Sequence, residues 1–404
     1  MLNSSLKFLF GVLIFILLVD PGDLIFHLKM PIFLLIIINW LILKTTKNFK
    51  FNKDIAFLVF TLIVIPIIGI SSAIIQSNLN DISFAIGMLK SVSICILIFI
   101  LYDSNIRISP YLVKLSIIIP LIIIPIYFLI TINPVAAFSL IDFLLLKDAA
   151  KFSNRNFYGY DVIMLYYRTS PLLVFPLAYY SNGFTLGYKR VRSLFMAILF
   201  FFTLIVSGTR ANMLMGVLIV IYYFSVYLNL RKNKLWIIIF YILLSIATFQ
   251  FLKTLSFENS DESSDVKSGH YNSYLDLFKE NPRYLLFGQG LGSKFYSSGS
   301  KDYIVQSELS YLELVRWFGI PVASVFLFIL CYPIIIYYKN KDLYYNKGYI
   351  LIAYYAYLFI VGTNPLLMSS TGMITVILMF NFLKSETNYQ ANRISSKSHS
   401  YDPA

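Results

Sequence analysis

Arg168 and Arg316 stand inside long apolar runs, where an ionisable side chain costs about 2.5 to 3.5 kcal/mol unless it meets a partner or a watery cavity. Lys29 and Lys90 share that setting, each roughly 8 to 14 Å in from the same end of its run at 1.5 Å per helical residue. Arg210 adds a cation in the tight turn Ser207-Gly-Thr-Arg210 between two further runs. Lys29 and Lys90 fit side chains that snorkel to the surface. Arg168 and Arg316 point instead to a basic cavity open to one face, suited to an anionic headgroup such as a lipid-linked diphosphate. Glu313 lies three residues before Arg316, where a same-face ion pair is geometrically natural, and is read as structural. Glu308 falls on a different face. It is either a base acting on a substrate or a polar residue favoured by the dipole in a first helical turn. His270 has the position of a solvated loop histidine.

Several other patterns carry no chemistry. Gly288-Gln-Gly290-Leu-Gly292 lacks the spacing and the preceding strand of a dinucleotide fingerprint, and no Walker A sequence occurs. The acidic run from Glu258 to Asp265 has neither EF-hand spacing nor a paired histidine and reads as a solvated stretch, so no metal is implied. Cys95 and Cys331 both sit in apolar runs, which offers neither a disulfide framework nor a thiolate site.

The elements that must position these groups are membrane helices. The chain has 404 residues, 58% apolar and 13% charged, with a mean hydropathy of +0.73, outside the range of soluble domains. This excludes a water-soluble enzyme on a single anchor. Apolar runs lie at about 8 to 19, 24 to 43, 55 to 75, 82 to 102, 111 to 131, 161 to 181, 193 to 207, 211 to 229, 235 to 255, 308 to 338, 349 to 361 and 366 to 383. The expected fold is an all-α polytopic helix bundle of about 12 transmembrane helices, one domain over residues 1–383, with a disordered tail over 384–404. The first run has no small-residue cleavage site after it and reads as a retained span rather than a signal peptide.

With the amino terminus inside, every short basic loop falls on the cytoplasmic side, among them Lys44 to Lys53, Lys189 to Arg192, Arg231 to Lys234 and Lys339 to Lys347. Both termini are then cytoplasmic, and the excess of 33 basic over 20 acidic side chains needs no nucleic acid. Two long segments face outward, Ile132 to Tyr160 and Ser256 to Ser307. The second turns amphipathic through Tyr271, Tyr274, Leu275 and Phe278. The deep cations and Arg210 all lie towards the outer half.

Four segments, in order, resemble the O-antigen polymerase (Wzy-type) and O-antigen ligase superfamily of polytopic membrane glycosyltransferases. Ser207-Gly-Thr-Arg210-Ala is similar to the family's serine-and-arginine turn. Ser268-Gly-His270, Asn281-Pro282 and Leu286-Phe-Gly288-Gln-Gly290-Leu-Gly292 resemble its long loop with a closing glycine cluster. Glu308-Leu-Ser-Tyr311-Leu312-Glu313, running to Gly319-Ile320, resembles the helix that re-enters the membrane, and Thr363-Asn364-Pro365 with Ser369-Ser370 the short outer turn before the last span. The likeness covers about the last half of the chain.

That resemblance implies a GT-C-like bundle in the bacterial inner membrane. It implies a polymerase joining undecaprenyl-diphosphate-linked oligosaccharides, for O-antigen or capsule, with lipid-linked donor and acceptor as partners and with a chain-length regulator and a flippase alongside. Glu308 and Leu309 stand where ligases of the superfamily carry His and Asn, favouring polymerase over ligase. His270 stands where many members carry arginine, so the diphosphate role falls to His270, to Arg283 or to neither. The expected roles are then Glu308 as base, His270 as helper, and Arg210, Arg168, Arg316 and Arg283 at the diphosphate. Because the donor is already activated, no cofactor is expected. A ligase and, from another class, a lipid-linked oligosaccharide flippase are the alternatives.

Overall fold

Hydropathy sets the architecture, since a backbone in hydrocarbon must satisfy its own hydrogen bonds and does so most simply as helix. The computed structural model describes residues 2–45, 50–157, 160–230, 262–344 and 347–398, and is 75% helical. The expected span at 235 to 255, the basic residues 231–234 and the first half of the acidic run lie outside the described residues.

Among the described residues, five helices are long and apolar enough to cross a membrane: Lys53–Ile75, Ile82–Ser104, Ser109–Ile132, Arg210–Asn229 and Ser310–Lys339. The elements in chain order are α1 Leu2–Val19, α2 Lys29–Lys44, α3 Lys53–Ile75, α4 Ile82–Ser93 and α5 Ile96–Ser104. There follow α6 Ser109–Leu115, α7 Ile118–Ile132, α8 Pro134–Leu146 and a hairpin of β1 Ala150–Phe157 and β2 Tyr160–Tyr167. Next come α9 Val174–Leu186, α10 Arg190–Val206, α11 Arg210–Leu230, α12 Glu262–Glu280, α13 Arg283–Phe287, a short β3 Phe295–Ser297 with β4 Asp302–Ile304, α14 Ser310–Lys339, α15 Tyr349–Gly362 and α16 Ser370–Ser398. Local sequence explains several ends. Asn52 caps α3 by accepting from the Ile55 amide and Asp81 caps α4 through the Phe84 amide, while Asn105 closes α5 in the left-handed region.

Four expectations need correction. The run 161 to 181 is not one helix: it begins as β2, turns at Arg168 and Thr169, and becomes helical only from Ser170, as a 3-10 turn over Ser170–Leu173 that leads into α9. Apart from Asp161, Tyr160 to Tyr167 is a short stretch of apolar and aromatic residues, and such a run reads equally as strand or helix until it finds a partner. Its partner is β1, paired antiparallel from Ala150 opposite Tyr167 to Phe157 opposite Tyr160. The segment Ile132 to Tyr160 is accordingly not a loop but α8 and the first strand. Glu308 precedes α14 rather than lying in its first turn, because the helix starts at Ser310. The tail is helical through Ser398, as α16 continues where no glycine or proline interrupts residues 373–398.

Helix α14 is broken at Gly319, whose φ is 75°. A side chain there would meet the Leu286 carbonyl at 2.2 Å, so only glycine lets the loop ending at Gly288 lie against the break. That loop is further tied to α3, with the Leu291 amide donating to the Gly69 carbonyl and Gln76 Nε2 to the Gly288 carbonyl. On the far side of the core, Asp103 is buried and takes Lys44 Nζ at 2.6 Å and Trp40 Nε1 at 2.7 Å.

Candidate functional site

Period-two geometry gives the β1–β2 hairpin two unlike faces. Ala150, Leu165 and Tyr167 are buried in the core, and the Tyr167 hydroxyl donates to the Val19 carbonyl. Lys151, Ser153, Met164, Tyr166 and Arg168 occupy the alternate positions, and they line a cavity of about 530 Å³. The other walls come from the α10–α11 turn (Thr209, Arg210, Ala211), from Lys267 on α12, from Glu308, and from the end of α15 and its following turn (Phe359, Thr363, Asn364, Pro365).

The turn reaches the hairpin because Gly208 has a φ of 67° and its missing Cβ would stand 2.4 Å from Met164 Cγ. Arg210 then opens α11 at the cavity wall. Arg168 sits at the foot of β2, its amide bonded to the Ala149 carbonyl and its guanidinium paired with Asp148. Glu308 faces Lys267 at 3.7 Å, both side chains more than a third exposed (42% and 35%), so the pair is weak and the carboxylate keeps capacity to accept another proton donor. Among the described residues, four cations (Lys151, Arg168, Arg210, Lys267) against two carboxylates (Asp148, Glu308) leave the cavity lining two positive charges in excess. Low-dielectric walls focus such a field on an anionic ligand.

Three of the six expected site residues, Arg168, Arg210 and Glu308, thus meet in one cavity. Arg316 does not join them. It is fully buried on α14, where it pairs with Glu313 (Nη2 to Oε2 2.7 Å, Nε to Oε2 2.9 Å) as its spacing predicted. Its remaining donors go to Gln289 Oε1, to the Ser293 carbonyl and hydroxyl, and to the Val305 carbonyl. An arginine so satisfied holds the loop and has no donor left for a diphosphate, which corrects its expected role. Arg283 is exposed on the five-residue α13 and does not line the cavity.

His270 is neither a solvated loop residue nor a cavity residue. It is buried on α12, with Nδ1 2.5 Å from Ser297 Oγ of β3, and burial lowers its pKa below the ordinary histidine value. Gly269 lies against Gly299, and Ser273 Oγ accepts from the Ser298 amide at 2.8 Å. These contacts dock α12 on the β3–β4 hairpin and hold Lys267, one turn before His270, at the cavity. Lys29 does not snorkel: it begins α2, buried, with Nζ donating to the Pro21 carbonyl at 2.6 Å, whereas Lys90 is exposed.

Lys151, Lys267, Asp148 and Tyr166 were not singled out from sequence. For Lys151 and Tyr166 the signal is the alternation of β2 against β1, visible only once the run is read as strand, whereas Asp148 and Lys267 reach the cavity through packing alone. Comparison with known proteins returns no match: no protein-family model, no curated protein and no solved structure is similar to the chain.

Proposed function

We propose that the chain is a polysaccharide repeat-unit polymerase of the bacterial inner membrane, transferring a glycan from its undecaprenyl-diphosphate carrier onto the terminal sugar of a second lipid-linked repeat. The observation that carries this reading is the convergence of Arg168, Arg210 and Glu308, from three distant parts of the chain, on one cavity with an excess of positive charge. The acceptor hydroxyl oxygen bonds to the donor's anomeric carbon while the bond from that carbon to the diphosphate oxygen breaks. The hydroxyl proton goes to Glu308, and the electron pair leaves with the diphosphate, which Arg210 and Arg168 stabilise together with Lys151 and Lys267. The reaction needs no nucleotide, since the diphosphate ester already activates the donor.

In this reading the bundle has about 12 spans, is GT-C-like, has both termini in the cytoplasm and opens its cavity outward, where a flippase delivers the repeats and a chain-length regulator acts on the product. The departure of Glu308-Leu309 from the ligase pattern favours polymerisation over ligation.

The test uses purified protein with synthetic lipid-diphosphate repeats, followed for dimer formation. Dimer should form with the wild type, and Glu308→Gln should lower the rate by about 100-fold or more, the scale of lost general-base help. A fully active Glu308→Gln would end the base assignment, and no joining by the intact protein would end the polymerase reading.

A further inference from the structure

Among the described residues, most buried and half-buried tyrosines of this bundle have their hydroxyls occupied. Tyr354 donates to the Leu330 carbonyl, Tyr344 to that of Leu383, Tyr311 to that of Leu358, and Tyr274 pairs with Ser307. On the hairpin, Tyr167 is tied to the Val19 carbonyl. Tyr166, its neighbour on the opposite face, is different. Its hydroxyl oxygen is buried and has no hydrogen-bond partner among the described residues. Tyr223 and Tyr357 share that condition, but of the three only Tyr166 lines the cavity. A buried hydroxyl left unsatisfied costs about 1 to 3 kcal/mol, so its retention asks for a partner that arrives with the ligand.

The surroundings define that partner. Tyr166 lies opposite Lys151 in the hairpin register, and Arg168 follows on the same face. Lys151 and Arg168 can only donate hydrogen bonds, and burial keeps the Tyr166 phenol protonated. A face that presents three donors in a row calls for an acceptor-only group. Phosphoryl oxygens are such acceptors, whereas sugar hydroxyls both donate and accept. Of the neighbouring charges that act on the phenol, Arg168 favours an anion beside it, while the carboxylates of Asp148 and Glu308 oppose one.

We propose that the Tyr166 hydroxyl donates a hydrogen bond to a phosphoryl oxygen of the lipid-linked diphosphate, fixing its orientation between Arg168 and Lys151. This rests on the reading of the cavity as a diphosphate site. Tyr166 adds no charge; it supplies a directional contact that the flexible lysine does not.

The experiment measures binding of farnesyl diphosphate and of inorganic pyrophosphate to the full-length purified protein, wild type and Tyr166→Phe, together with thermal unfolding of both. Loss of one hydrogen bond to a charged group should raise Kd for farnesyl diphosphate about tenfold. The unfolding temperature should stay level or rise, because an unpaired buried hydroxyl has been removed. Pyrophosphate binding with the same dependence on Tyr166 assigns the contact to the diphosphate group itself; binding of the prenyl compound alone assigns it to the lipid-borne form. Equal Kd values for the two proteins overturn the inference while leaving the cavity reading intact. A lower unfolding temperature with unchanged Kd also overturns it, marking a hydroxyl that bridges structure through water. If the wild type binds neither probe, the diphosphate reading itself falls and the Tyr166 contact with it.

Discussion

Replacing Arg316 by alanine separates a loop clamp from a substrate ligand. The guanidinium and the Glu313 carboxylate are both at 0% side-chain exposure, and the arginine also holds Gln289, Ser293 and Val305. Arg316→Ala leaves a buried carboxylate without its cation and strands those acceptors, a loss expected at about 3 to 5 kcal/mol. Glu313→Gln, which leaves the cation buried instead, should cost a similar amount. The double variant Glu313→Leu with Arg316→Met removes both charges, so it should be no worse than either single change. It will not regain wild-type stability, because the Ser307 amide, bonded to Glu313 Oε1, also loses its acceptor. Thermal or denaturant unfolding of the purified variants compares their stabilities, and limited proteolysis between Gly288 and Val305 reports the loop. An Arg316→Ala protein that melts with the wild type and loses only turnover would refute the clamp and return Arg316 to the diphosphate.

Gly208→Ala should destabilise by about 1 to 2 kcal/mol through its left-handed backbone, with a further penalty from contact with the Met164 side chain, as unfolding midpoints would show. Arg210→Ala should abolish long chains at normal membrane abundance while Arg283→Ala leaves chain length unaltered, and glycan profiles of the two strains compare a cavity arginine with an exposed one. His270 has its pKa lowered chiefly by burial, against the opposing pull of Glu308 and Glu313, with Lys267 adding a smaller push downward. Below about pH 6.5 the unfolded chain therefore binds a proton that the folded one resists, so stability present above that pH is lost as the pH falls. Melting curves across that range should show the loss in the wild type and a shallower one in His270→Gln; equal slopes would contradict the assignment.

Composition alone determined that this is a chain of apolar helices, because the count and length of apolar runs follow directly from what a hydrocarbon environment demands of a backbone. Spacing alone determined the Glu313–Arg316 pair, since residues three apart on a helix face each other before any tertiary contact forms. Arg210 at its turn was likewise legible, being a polar group at the end of an apolar segment, whereas the start of α14 two residues beyond Glu308 was not. The rest was decided by packing. Residues 161 to 167 have the hydropathy of a span and became a strand because β1 stood ready to pair with them, and only then did Lys151, Tyr166 and Arg168 share a face. Arg316 turned into the protein because Gln289, Ser293 and Val305 converge on it from a loop distant in sequence. His270 was buried by a hairpin that its own neighbourhood does not announce. Local sequence fixes which face of an element is apolar, but the partner a polar side chain finds depends on segments far along the chain, and those meet only in the folded bundle.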